Sequence, residues 1–334
     1  MTNVLEITSE SRVYMGDAVA LLGELLPSKR VVVISDTNID RTHKMVIDNY
    51  DHILIGQGEQ AKSLATLDEV YRQLIDMGAD RSTFILGVGG GLVTDVAGFV
   101  ASTYMRGVEF GFVTTTLLGA VDASIGGKNG VNIGGFKNMV GTFSQPKFVI
   151  CDVSLFNSLP KREFRAGVAE IIKSAIIADR ELFEMLEGTS LDALRKDKVL
   201  LEEVVRRAMR VKVDIVSQDE RESGLRRVLN LGHTIAHAIE KSSRKMNHGE
   251  AVAVGLSRMV ESALSQSLLS ADDARRIIAL LEKYGFDLSS PVDDKSLLDA
   301  IKGDKKRKGN SIHAIYPTAI GCVVDRVVAL DKLP

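Results

Sequence analysis

The feature that most limits how this chain can fold is an alternation within its first 150 residues. Short apolar runs recur at Val31-Val-Val-Ile34, His52-Ile-Leu-Ile55, Thr83-Phe-Ile-Leu86, Phe110-Gly-Phe-Val113 and Lys147-Phe-Val-Ile150. Polar or glycine-rich segments follow them, and stretches of helical period at 64–77 and 96–104 fall between. A short run that is apolar at every position is a strand buried on both faces, the situation in a parallel sheet covered by helices. Repeated in this order, the segments restrict the first half to an α/β fold with ligands at the carboxyl ends of its strands. From about residue 160 the texture changes. Helical periodicity runs through 163–178, 197–216, 228–242, 250–265 and 271–284, residues 285–291 form a breaker, and only 311–316 and 321–329 look extended. The 334 residues exceed the roughly 250–300 at which a single core stops growing. Two domains are expected: an α/β domain over 1–159 and an all-α domain over 160–334.

Composition narrows the partners. A net charge of −2 supplies no basic field for nucleic acid. No apolar run approaches the length of a membrane span, and the amino terminus lacks the basic-then-apolar pattern of a secretory leader. Cys151 and Cys322 are too few for a disulfide framework, and both adjoin apolar runs, so both are expected as buried thiols. A cytoplasmic enzyme acting on a small molecule, with neither nucleic-acid nor membrane partner, is the expectation.

Four groups of residues carry chemistry. Gly87-Val-Gly-Gly-Gly91 follows one expected strand and opens a helix, as a backbone that must approach a diphosphate does. It is neither a Walker A loop nor a regular G-x-G-x-x-G, and such glycines also serve packing. Asp95 one turn into the helix, Thr115 and Thr116 at the end of the next strand, and Glu59 and Lys62 in an earlier loop add the hydroxyl-binding and phosphate-binding groups of a dinucleotide site. Residues 121–132, with Lys128, and Lys137-Asn138 beyond, read as an anion-binding loop, and Arg106 offers a guanidinium clamp. Glu170 and Lys173 lie one turn apart in an apolar helix, where charge without function is costly. Finally, His233, His237 and His248 cluster with Arg226, Asn230 and Glu250. Spacing alone puts His233 and His237 on one helical face, and three ligands with an open position make a catalytic zinc site.

Taken together these motifs resemble the 3-dehydroquinate synthase family of sugar phosphate cyclases, from Ser35-Asp-Thr37 to Pro317-Thr-Ala-Ile-Gly321. The resemblance implies a Rossmann-like NAD domain followed by a helical metal domain. It implies one divalent metal, zinc or cobalt, on Glu170, His233 and His248, with His237 passing to substrate binding or proton handling. It places NAD contacts at Asp36, Asn38, Glu59, Lys62, Gly90, Gly91, Asp95, Thr115, Thr116, Lys128, Lys137 and Ser158. Substrate contacts fall on Asp122, Lys128, Lys173, Lys212, Arg226, Asn230 and His237, with Arg106, Asn138 and Lys305 or Lys306 for the phosphate. The family's usual Gly-Lys-Thr is here Gly127-Lys-Asn129, Phe136 stands before Lys137, and Ala236 replaces a glycine between the helical histidines. No charged group is lost by these departures.

The implied substrate is 3-deoxy-D-arabino-heptulosonate 7-phosphate. The implied reaction oxidises its C5 hydroxyl transiently, eliminates phosphate, returns the hydride and closes a carbocycle by an intramolecular aldol, leaving NAD unchanged. A homodimer is also implied. Two alternatives stay open: another sugar phosphate cyclase, and an NAD-linked, metal-dependent dehydrogenase of the glycerol or alcohol type. Lys128, Lys137, Lys173, Lys212, Arg226 and Lys305-Lys306 form a cationic set that a dehydrogenase of small neutral alcohols does not need.

Overall fold

The computed structural model describes residues 3–243, 245–302 and 311–329. By its internal contacts the chain divides into two compact units, Met1–Phe164 and Arg165–Pro334.

The first unit is built on a seven-stranded sheet. Its strands are β1 (Asn3–Thr8), β2 (Ser11–Met15), β3 (Val31–Asp36), β4 (Asp51–Ile55), β5 (Phe84–Gly89), β6 (Phe110–Thr114) and β9 (Phe148–Cys151). They lie in the order β1-β2-β9-β6-β5-β3-β4. β1 and β2 form an antiparallel hairpin that the sequence reading did not anticipate; all other pairs are parallel. The helices are α1 (Ala18–Leu25), α2 (Thr37–Thr42), α3 (Leu64–Asp76) and α4 (Gly91–Thr103). A separate hairpin, β7 (Lys128–Ile133) and β8 (Phe136–Phe143), packs on α4. From β3 the chain moves outward to β4, and from β5 it moves the other way to β6. The carboxyl ends of β3 and β5 therefore flank a topological switch point, where open α/β sheets bind ligands.

The glycine run joins a strand directly to a helix, as expected. β5 continues through Gly89, and α4 begins at Gly91. A Cβ at Gly87 would stand 2.9 Å from Ala97 and Phe112, and one at Gly89 2.5 Å from Val93. The first two glycines of the run thus let strand and helix close on each other.

Among its described residues the second unit is helical apart from a ribbon of β10 (Ser311–Ala319) and β11 (Cys322–Ala329). Its helices are α5 (Lys161–Ala178, which starts in the first unit), α6 (Arg180–Glu187), α7 (Leu191–Lys196), α8 (Lys198–Gln218), α9 (His233–Ser242), α10 (His248–Ser265), α11 (Ala271–Lys283) and α12 (Asp294–Lys302). The stretch expected as one helix over 228–242 is broken. Residues Leu225–Asn230 form a 3-10 turn, Gly232 adopts a left-handed conformation (φ 76°), and α9 starts afresh at His233. The cysteine expectation holds for Cys151, which is buried, and fails for Cys322, which is exposed at the turn that opens β11 in a ribbon with an open face. Among the described residues no helix is long and apolar enough to cross a membrane.

Candidate active site

Three elements of the second unit meet at glycines beside chemically active residues. α5 carries Glu170, while His233 and His248 are the first residues of α9 and α10. A Cβ at Gly249, next to His248, would lie 2.3 Å from the Ala166 Cα of α5. A Cβ at Gly255 would lie 2.1 Å from the carbonyl oxygen of Gly232, the residue before His233. Glycine at these points permits backbone-to-backbone approach, and at Gly232 it also accepts the positive φ.

The approach brings together Glu170 and two imidazoles. Glu170 Oε1 lies 3.5 Å from Nε2 of His233 and 3.3 Å from Nε2 of His248. All three ligand atoms fall within 4.8 Å of one another. Zinc bonds of about 2.0–2.1 Å in a tetrahedron place neighbouring ligand atoms about 3.3 Å apart, so the two measured edges have the required size. The remaining ring nitrogens are engaged. His233 Nδ1 is 3.2 Å from the Leu231 carbonyl, and His248 Nδ1 is 3.3 Å from Glu240 Oε1. A proton donated from Nδ1 fixes the tautomer that leaves Nε2 as a ligand. Burial, reinforced by the Lys173 ammonium, holds the His233 pKa well below the ordinary imidazole range. Burial also opposes charge on His248, but hydrogen bonds to Glu170 and Glu240 outweigh it and raise its pKa to about 10. Two carboxylates around one imidazole favour a cation at this point. The donor set fits a zinc-like or cobalt-like ion.

Lys173 Nζ is 2.5 Å from Glu170 Oε2, and both side chains are buried. His237 stacks edge-on against His233, with ring centres 5.6 Å apart, and lies outside the set of converging ligand atoms. Lys212 is buried on α8, which packs on the turn bearing Arg226 and Asn230. The Arg226 guanidinium, itself buried, donates to the Glu220 carbonyl, and Asn230 Nδ2 donates to Glu222. Asp219 shapes this turn by accepting the backbone N–H groups of Ser223, Gly224 and Arg226 at 2.9, 2.7 and 3.0 Å. Those bonds hold its carboxyl well below the usual range. Lys305 and Lys306 lie outside the described residues.

In the first unit, Gly90, which has no side chain to cap the helix, precedes α4, so the first N–H groups of the helix and its positive dipole end lie at this point. A Cβ on Gly90 would stand 2.9 Å from Thr116, and one on Gly91 2.9 Å from Ala123. The Thr115 hydroxyl is buried and has no hydrogen-bond partner among the described residues. A buried hydroxyl without a partner among the described residues, beside the start of a helix, fits a dinucleotide. Asp36 caps α2 through the N–H groups of Asn38 and Ile39 at 2.7 and 3.2 Å. Ser158 bonds His43 Nε2 at 2.8 Å. Lys62 is buried and joins two residues that the sequence had assigned separately, bonding Asp95 and, at 2.5 Å, Asn138 Oδ1. Burial pushes the Asp95 pKa up to about 6, although the Lys62 ammonium pulls it down. Asp122 lies in a single π-turn, Gly119–Ala123, a form frequent at functional sites. Lys128 and Lys137 are exposed on the β7–β8 hairpin, as is Glu59 on its own loop. Arg106 is exposed with φ 73°, after Met105 at 49°. Adjacent left-handed non-glycine residues cost roughly 1–3 kcal/mol each, and such strain gathers at functional sites.

Some contributing residues escape sequence reasoning. Glu240 sits seven residues, two turns, after His233 on α9, a spacing that could have exposed it. Gly249 and Gly255 are defined by partners far away in sequence. Asn129, the departure from the family's threonine, donates its amide to the carbonyls of Gly127 and Ser144 at 3.1 and 3.0 Å. Its Oδ1 occupies the place of a Cβ on Gly98, at 1.9 Å.

This fold is that of the sugar phosphate cyclases. A crystal structure of 2-deoxy-scyllo-inosose synthase with carbaglucose-6-phosphate, NAD+ and Co2+ superposes with a TM-score of 0.90 at 25% identity, covering 100% of this chain and 98% of that one. A probable glycerol dehydrogenase from Sinorhizobium meliloti, 17% identical over 97% of this chain and 94% of its own with a TM-score of 0.66, shares the fold alone. The 3-dehydroquinate synthase of Pelobacter propionicus is 44% identical over 285 residues, 84% of this chain and 79% of its own length. Residues 52–166 match the family described as 3-dehydroquinate synthase N-terminal, and residues 167–307 the family described as 3-dehydroquinate synthase C-terminal. The chain belongs to the 3-dehydroquinate synthase family.

Proposed function

We propose that this chain is a 3-dehydroquinate synthase, a carbon–oxygen lyase that converts 3-deoxy-D-arabino-heptulosonate 7-phosphate into 3-dehydroquinate and phosphate, the second step of the shikimate pathway. The observation that carries this reading is the buried set of Glu170, His233 and His248 in a chain that also buries Lys173, Lys212 and Arg226. Cationic side chains buried beside a metal-ligand set suit an anionic substrate, and this substrate carries a carboxylate as well as a phosphate. A dehydrogenase of neutral alcohols has no anionic substrate for such a cationic set to recognise.

In this reading residues 1–159 bind NAD and residues 160–334 bind metal and substrate. Glu170, His233 and His248 hold one zinc or cobalt ion, which when bound acidifies a coordinated hydroxyl and polarises a carbonyl. NAD serves as a recycled hydride acceptor held by Asp36, Asn38, Glu59, Lys62, Gly90, Gly91, Asp95, Thr115, Thr116, Lys128, Lys137 and Ser158. The chain's own groups do the rest. Arg226 and Lys212 pair with the substrate carboxylate; a planar guanidinium suits it bidentately. Lys173 neutralises Glu170 and faces the substrate. Asp122, Lys128, Asn230 and His237 orient substrate hydroxyls and move protons. Arg106, Asn138 and Lys305 or Lys306 hold the phosphate, whose own oxygen takes the C6 proton as it leaves. The enzyme works as a cytoplasmic homodimer.

The test compares two substrates under the same conditions: the heptulosonate phosphate and a hexose 6-phosphate lacking the carboxylate. The purified, metal-loaded chain should release phosphate from the first and leave the second untouched. Preference for the hexose phosphate would reassign the chain to another cyclase, and oxidation of glycerol with NADH accumulation would reassign it to the dehydrogenases.

A further inference from the structure

Asn132 stands where two parts of the first unit are tied together. Its Nδ2 donates to Glu59 Oε1 at 2.7 Å, and its Oδ1 accepts the backbone N–H of Asn138 at 2.9 Å. Its own N–H donates to the Lys62 carbonyl at 2.9 Å, and a parallel bridge links it to Ser63. Lys62 then closes the ring through its ammonium, which bonds Asn138 Oδ1 at 2.5 Å as well as Asp95. Asn138 is therefore gripped at both ends, its backbone by Asn132 and its side chain by Lys62. It needs gripping, because its φ is 52° in a residue other than glycine.

We infer that Asn132 is a positioning residue for the reaction: it fixes Asn138 for the substrate phosphate and couples that residue to the Glu59–Lys62 segment of the dinucleotide site. The inference rests on the functional reading above. A carboxamide suits the task, because one end donates and the other accepts at fixed separation. Aspartate keeps the acceptor but offers Glu59 a like charge, and alanine removes both arms.

Double-mutant cycles separate the arms. N132A should raise KM for the heptulosonate phosphate about tenfold, the loss of roughly one hydrogen bond, with a smaller change in kcat. It should also weaken NAD binding several-fold, measured by calorimetry without substrate. N132A/N138A should have the KM of N138A, because Asn132 acts through Asn138 there. The NAD effect should vanish in an E59A background. N132D should keep KM near normal yet weaken NAD. KM effects that multiply in the double variant, or an N132A enzyme with unchanged KM and NAD affinity, would overturn the inference. So would equal losses in N132A and N132D that track a falling melting temperature, since that is a structural defect. A wild-type chain that releases no phosphate from this substrate would instead refute the functional reading, and the NAD calorimetry would still test the Glu59 arm.

Discussion

In the second unit the polar cluster is fixed by backbone contact, Gly249 against Ala166 and Gly255 against Gly232, with His248 and His233 each adjoining one of these glycines. In the first unit Lys62, Asp95, Asn132 and Asn138 sit on loops, a hairpin and a helix, joined by side-chain hydrogen bonds. Close-packed helices cannot yield to an added methyl group. A loop network can accept added volume, but it depends on each donor and acceptor. The first arrangement suits ligands that must hold one geometry. The second suits the proposed binding of a cofactor and a phosphate, groups that must also be released.

The strongest challenge to that contrast is loss of a ligand. His248→Ala should reduce metal affinity by more than about 100-fold, beyond what is typical for outer-sphere partners, and abolish nearly all turnover, as read by metal analysis of the dialysed protein. Full metal content would move the ligand set elsewhere, His237 being next in line.

A methyl group at the helix contact probes the packing half. Gly249→Ala should cost about 3 kcal/mol, on the order of 10 °C in melting temperature, since overpacking against backbone leaves no flexible neighbour to move. Metal content should fall with it, because α5 and α10 are pushed apart. An unchanged melting temperature would show that the contact between Gly249 and Ala166 is looser than described.

Arg226→Lys retains charge and loses the planar fork, so kcat/KM should fall about tenfold or more. Melting temperature and metal content should hold. Normal efficiency with lowered stability would make Arg226 structural and leave Lys212 to hold the carboxylate.

The smallest expected effect is a pH dependence in the first unit. Asp95, raised to about 6 by burial, keeps a proton at pH values where an ordinary carboxyl has lost it. Lys62 opposes that shift, while Glu59 and Asp122 add to it. Its contribution to stability is therefore present at acid pH and lost as pH rises through about 6. Binding of ribose hydroxyls selects the carboxylate, so NAD affinity should run the opposite way, strengthening several-fold up to about pH 7 and levelling off. Calorimetry across that range should give a flat profile for Asp95→Asn; a flat wild-type profile would remove Asp95 from the ribose site.

The same contrast explains what was legible in the sequence. Strands β3, β5 and β6 announce themselves because burial on both faces demands unbroken apolar runs. Glu170 and Lys173 stand out because an ion pair inside Ala, Val and Ile has no bland use. The glycine run was legible as a strand-to-helix junction, but composition could not divide it: Gly87 and Gly89 serve strand–helix packing, and Gly90 and Gly91 lie at the helix start. The break at Gly232 was hidden, because its left-handed turn exists to meet Gly255, a partner visible only in three dimensions. Helices α6 and α7 are too short to establish a period. Asn132 was illegible for the reason that makes it useful: both of its side-chain partners, Glu59 and the Asn138 backbone, are assigned by the fold and not by spacing.

In the proposed function the two clusters serve one closed redox cycle. The most direct measurement is the amount of phosphate released from the heptulosonate phosphate per NAD supplied, with absorbance at the NADH band followed throughout. Many phosphates per NAD and no net NADH at the end are expected. One NADH formed for each substrate consumed, with no phosphate released, would contradict that function.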